Sequence, residues 1–100
     1  MESTLKAEDM VETIKSIYSK IAKFSDEIEV EITIEDESIT VSIFPNPEDT
    51  GCIIGREGKN IRALRNILAS YALVNDDKRK IFIEVDSDNR EEVDSGYRDY

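Results

Sequence analysis

Two glycines bracket a charged pair in Gly55-Arg56-Glu57-Gly58, with Ile53-Ile54 ahead of them and Lys59, Asn60, Ile61, Arg62 and Arg65 behind. Glycines in such a run can hold a phosphate, because a chain without Cβ lets an anion approach the backbone closely. Four kinds of loop could use them. A dinucleotide-binding turn needs a parallel strand directly before it and G-x-G-x-x-G spacing; the glycines stand at 51, 55 and 58 instead. A P-loop needs Ser or Thr after the Gly-Lys pair, and Asn60 stands there. Two readings survive on physical grounds. In one, Gly55 ends a helix, Gly58 opens the next, and Arg56-Glu57 forms a solvated tip. In the other, the same helix–turn–helix is a phosphate clamp. The free N–H groups of a helix starting at Lys59 would face the anion, with Arg56, Lys59 and Arg62 around it and Ile53, Ile54 and Ile61 as an apolar floor for bases.

Other chemistry has little to work with. The chain has no histidine, which removes imidazole-based nucleophilic catalysis and imidazole metal sites. Cys52 is the single cysteine, so no intramolecular disulfide forms, and beside Gly51 it reads as a small packing residue. Carboxylates are abundant, but they fall on alternating strand positions and in the C-terminal segment. We expect no catalytic residues, no metal and no cofactor.

The elements that would carry the glycine segment follow from hydrophobic periodicity. Met10, Val11, Ile14, Ile17, Tyr18, Ile21 and Phe24 recur at three- and four-residue spacing, which predicts an amphipathic helix over 7–24. Ile28, Val30, Ile32 and Ile34 alternate with polar residues, as do Ile39, Val41 and Ile43. Joined at Asp36-Glu37-Ser38, they predict a hairpin. Pro45-Asn46-Pro47 stops the second strand, and Asn46 with Pro47 could cap a short helix. A helix from Lys59 to about Leu73 and a third strand through Ile81, Ile83 and Val85 complete the order α-β-β-α-α-β. The fold class is α+β, a two-layer sandwich of a three-stranded sheet covered by three helices. We expect a flexible N-terminus over 1–6, one domain over 7–86 and an acidic flexible tail over 87–100.

Charge is unevenly placed along this frame. The protein carries a formal −10, which taken whole argues against a nucleic-acid partner. Residues 50–80, however, hold seven basic and three acidic side chains, a positive island in an acidic chain. The longest apolar run is far below the ~20 residues of a membrane span, and the N-terminus lacks a signal-peptide pattern. We therefore expect a soluble, cytoplasmic protein without a membrane partner.

Ile53-Ile54-Gly55-Arg56-Glu57-Gly58-Lys59-Asn60-Ile61-Arg62-Ala63-Leu64 resembles the signature of K-homology (KH) RNA-binding domains. A helix and strand ahead of the β-α-α-β core resembles their type II arrangement. The size resembles the small single-KH RNA-binding proteins of bacteria, the KhpA/YlqC-like group. The resemblance spans about residues 7–86. It implies single-stranded RNA as the partner and a non-enzymatic post-transcriptional regulator or RNA chaperone. It also implies action as a homodimer or with a second KH-containing protein. It places Gly55, Arg56, Glu57 and Gly58 on the RNA backbone, Lys59 and Arg62 beside phosphates, and Ile53, Ile54 and Ile61 near the bases. Glu57 puts an anion inside the clamp, and with the acid excess it favours an alternative: a KH-fold protein-interaction module with weak or lost RNA binding. The 87–100 tail is expected at most to compete weakly with RNA for the basic segment.

Overall fold

Alternating apolar residues have to be buried on one side of a strand, and three such strands build the sheet of this computed structural model, which describes residues 2–86. The tail assigned to 87–100 lies outside the described residues. β1 (Glu29–Ile34) and β2 (Ser38–Phe44) pair antiparallel. Val30 stands opposite Ile43 and Ile32 opposite Val41. The Glu35 N–H donates to the Ser38 carbonyl at 2.8 Å and closes the turn. β3 (Lys80–Val85) adds on the other side of β2 in parallel, matching Ile39 to Ile81, Val41 to Ile83 and Ile43 to Val85. The sheet order is β1-β2-β3.

One face of this sheet is apolar, and helices cover it: α1 (Ala7–Tyr18), α2 (Thr50–Ile54) and α3 (Lys59–Val74). Met10, Ile14 and Tyr18 from α1 meet Ile39, Val41 and Ile43 from β2, and Ile61, Leu64, Leu68 and Ala72 from α3, in one core. The opposite face carries Glu29, Glu31, Thr33, Lys80, Phe82 and Glu84. The expected α+β sandwich with the order α-β-β-α-α-β is what the chain forms.

The first helix is shorter than its apolar spacing predicts. The periodicity runs to Phe24, but α1 ends at Tyr18 and the chain proceeds through turns. Two contacts account for this. The Ser19 hydroxyl donates back to the Ser16 carbonyl at 2.6 Å, competing with continued helix. Further on, the Lys23 and Phe24 N–H groups donate to the two carboxylate oxygens of buried Asp49, at 2.9 and 2.7 Å. A charged acceptor satisfying two backbone donors draws the segment off the helix axis, and Ile21 is left half exposed. Ahead of α1, the Thr4 N–H donates to the Asn75 carbonyl at 2.8 Å and the Ser3 hydroxyl to the Asp77 carboxylate at 2.8 Å. These bonds tie the N-terminal lead to the end of α3.

The entry to the glycine segment is built as its residues suggest. Asn46 accepts from the Glu48 N–H at 2.8 Å and Pro47 begins a 3-10 turn over Pro47–Asp49, which passes into α2. Tyr18 then anchors α2 from below. Its ring is buried and its hydroxyl donates to the Ile53 carbonyl at 2.9 Å. Burial pushes the Tyr18 pKa up to about 12 from the ordinary 10.0, with Cys52 adding to the rise. A raised folded-state pKa gives stability that is complete below the unfolded value and is lost as pH climbs through the folded one. Two pH units correspond to about 3 kcal/mol. Tyr18→Phe should therefore melt a few degrees below the wild type at pH 7–9, having lost one hydrogen bond. Between pH 10 and 12 the difference should close and then reverse. Melting curves for both proteins over pH 7–12 check this, and parallel curves at every pH would refute it.

Candidate nucleic-acid interface

Gly55 follows α2 at φ 81° and ψ 163°, a conformation that side-chain-bearing residues avoid. Its N–H closes α2 onto the Gly51 carbonyl at 2.8 Å, and its carbonyl accepts from the Gly58 N–H at 3.0 Å. Within this turn Glu57 takes a left-handed conformation, φ 57° and ψ 26°. Gly58 is also left-handed, φ 77° and ψ 14°, and starts α3. The turn is packed tightly against the start of α3. A Cβ on Gly55 would lie 2.8 Å from the Asn60 backbone nitrogen and 2.7 Å from its Cγ. The Asn60 side chain in turn donates from Nδ2 to the Cys52 carbonyl at 2.7 Å, stapling the first turn of α3 to α2. Arg62 donates from Nη1 to the Glu57 carbonyl. The sequence pattern marks Asn60 only as a mismatch to a P-loop and carries no signal for its role as a staple.

Gly55 is thus required by the protein's own packing, whatever else approaches the loop. The charges around the turn are what an approaching ligand would meet. Arg56 sits exposed on the turn, and Lys59, Arg62 and Arg65 follow at three-residue intervals, all exposed, as one stripe on the outer side of α3. Residues three apart are neighbours on a helix surface. None of the four makes an ion pair among the described residues, where the two ion pairs are Lys23–Glu48 and Arg79–Asp77. No side chain caps the α3 N-terminus, which leaves the positive end of the helix dipole beside Arg56 and Lys59. Glu57 is exposed within the same turn.

The other expected residues fall elsewhere. Ile53, Ile54 and Ile61 are 0%, 3% and 6% exposed and belong to the core, so they support the glycine turn from beneath and offer almost no surface. Lys78-Arg79-Lys80 follows the far end of α3, about 24 Å of helix away at 1.5 Å per residue. Arg79 there is paired with buried Asp77 at 3.6 Å. These cations are not part of the cluster at the glycines. Burial, and secondarily the Asp49 carboxylate, raises the Cys52 thiol pKa, which disfavours the thiolate a nucleophile needs. Among the described residues no three side chains are grouped to hold a metal ion, and no helix is long and apolar enough to cross a membrane.

The sequence profile of the KhpA/KhpB KH domain matches residues 11–88, which include both glycines and the cationic stripe. The chain is similar to an "RNA-binding protein KhpA" of Oceanobacillus iheyensis, 26% identical over 72 residues, covering 72% of this chain and 93% of that protein. A protein of the same name from Caldanaerobacter subterraneus is 29% identical over 76 residues, covering 76% and 99%. One from Mycobacterium leprae is 30% identical over 60 residues, covering 60% and 75%.

Proposed function

The chain belongs to the KhpA/KhpB KH-domain family, and from that premise we propose that it binds single-stranded RNA through a clamp formed by α2, Gly55-Arg56-Glu57-Gly58 and the first turns of α3. The observation that carries this reading is the set of exposed cations Arg56, Lys59 and Arg62, none of them in an ion pair among the described residues, at an uncapped helix N-terminus in a protein whose formal charge is otherwise strongly negative, with Arg65 one turn further along α3. The relatives named as RNA-binding proteins support it. Arg56, Lys59 and Arg62 would hold successive phosphates, and the turn backbone would lie against the sugar–phosphate chain. A KH clamp of this kind spans about four nucleotides. The protein would act without catalysing a reaction, as a post-transcriptional regulator or RNA chaperone. Pairing with a second copy or a second KH protein would raise the avidity of a single weak unit.

Glu57 and the net charge favour one rival, a KH-fold module that binds protein and has lost RNA. An NMR titration of the labelled protein with a degenerate single-stranded RNA separates the two. Shifts concentrated at residues 53–65 are expected. The affinity should fall with salt at a log–log slope of roughly −1.4 to −2.1, for two or three phosphates at ~0.7 each. Absence of shifts at low salt would leave the protein-binding reading.

A further inference from the structure

Glu57 stands left-handed in the turn between α2 and α3, at φ 57° and ψ 26°. A residue with a Cβ resists that conformation, so something has to hold it. Two backbone bonds close the turn from its flanks. Gly58 N–H donates to the Gly55 carbonyl at 3.0 Å, and Lys59 N–H donates to the Arg56 carbonyl. Neither bond involves the Glu57 carbonyl. The side chain that reaches this carbonyl is Arg62, five residues on in α3, which donates to it from Nη1.

The acceptor is informative. A guanidinium binds a carboxylate more strongly than a neutral carbonyl, and Glu57 offers both groups. Arg62 takes the carbonyl and enters no ion pair among the described residues. The side chain is therefore laid back across the turn, where it ties the left-handed residue to α3. Asn60 makes the companion tie, from α3 to the Cys52 carbonyl of α2. Arg62 is exposed, and a guanidinium is a planar fork of five N–H donors. One donor is committed to the turn, and the others remain for a phosphate. Lysine would carry the same charge on a compact ammonium, without a fork to span both acceptors.

We propose that Arg62 is the positioning residue of the clamp: through the Glu57 carbonyl it keeps the turn in its RNA-receiving shape before RNA arrives. The consequence rests on the RNA reading, whereas the cause lies in the free protein. The two are measured separately.

In the free protein, amide exchange reports on the turn. Gly58 N–H should exchange at least about tenfold faster in Arg62→Lys than in the wild type, as expected for local opening. The amides of Leu64 to Ala72 should keep their rates, and circular dichroism should show an intact fold. If this variant holds the turn in shape about a tenth to a fifth of the time, its dissociation constant for a degenerate single-stranded RNA rises about five- to tenfold. The salt slope should stay that of the wild type, because the charge is kept. Arg62→Gln should lose affinity and also flatten the slope by about 0.7.

A second substitution shows whether the loss travels through the turn. Asparagine tolerates the left-handed region, so in a Glu57→Asn background Arg62→Lys should cost less than about threefold. Unchanged exchange at Gly58 in Arg62→Lys would overturn the proposal, as would a loosened turn that binds RNA like the wild type. Equal losses in the two backgrounds would also overturn it, leaving Arg62 as a phosphate contact alone. If the wild type binds no RNA, the RNA reading falls, and the exchange rates still decide whether Arg62 holds the turn.

Discussion

Gly55→Ala should cost the folded state about 3 kcal/mol, from a backbone conformation near φ 81° that alanine resists and a contact the core cannot relieve. The new Cβ would sit 2.8 Å from the backbone nitrogen of Asn60, and Asn60 is itself held by its bond to the Cys52 carbonyl. A flexible side chain could swing away; a backbone atom in the first turn of a 16-residue helix cannot. For a domain of this size the melting temperature should fall by roughly 12–24 °C. Gly58→Ala, at a position both left-handed and buried, should cost at least about 1 kcal/mol from its conformation. Thermal and urea unfolding of both variants measure this. A Gly55→Ala protein melting within a few degrees of the wild type would show that α3 can shift away from α2. Loss of RNA binding in a glycine variant therefore says little about contact with RNA, because the fold already needs the glycine.

Arg56→Asp avoids that ambiguity. The Arg56 side chain is exposed and makes no hydrogen bond or ion pair among the described residues, and its backbone carbonyl, which accepts from the Lys59 N–H, is untouched by the change, so the variant should fold and melt like the wild type. Its affinity for single-stranded RNA should fall by about 10- to 150-fold, the value of one charge-assisted hydrogen bond at 1.5–3 kcal/mol. The salt slope should become shallower by about 0.7, one phosphate contact fewer. Glu57→Gln should move affinity the other way by removing the one anion exposed within the turn. Fluorescence anisotropy with one labelled RNA at two or three salt concentrations measures both. If neither variant changes the affinity, the RNA does not sit at this turn.

The alternation in Ile28–Ile34, Ile39–Ile43 and Ile81–Val85 is enough to locate all three strands, because a half-buried strand must repeat with period two. The helix after Gly58 is equally plain in Ile61, Leu64 and Leu68. What the pattern cannot show is the end of α1. Ile21 and Phe24 keep the helical spacing, and the interruption comes from the Asp49 carboxylate, which lies far along the chain. The glycine segment is legible as a turn between helices, and its signature points to the KH family. Its internal bracing is not, since the reach of the Asn60 amide to the Cys52 carbonyl exists only once α2 and α3 are placed. Hydrophobicity likewise suggests Ile53, Ile54 and Ile61 as a floor for bases. Burial at 0–6% reflects competition for those side chains that the core wins.

The mixed pairing in the sheet also bears on the order in which the molecule assembles. β1 and β2 are joined by a tight turn and can zip together on the microsecond scale of a hairpin. β3 must instead wait for the crossover that carries α2 and α3 to close, a long loop whose entropy is lost before the parallel contacts form. The hairpin and α1 should gain protection from amide exchange early in refolding, and β3 late. Until the crossover closes, one edge of β2 stays unpaired and its apolar face lacks the cover of α3, so that interval is when a refolding chain is most exposed to aggregation.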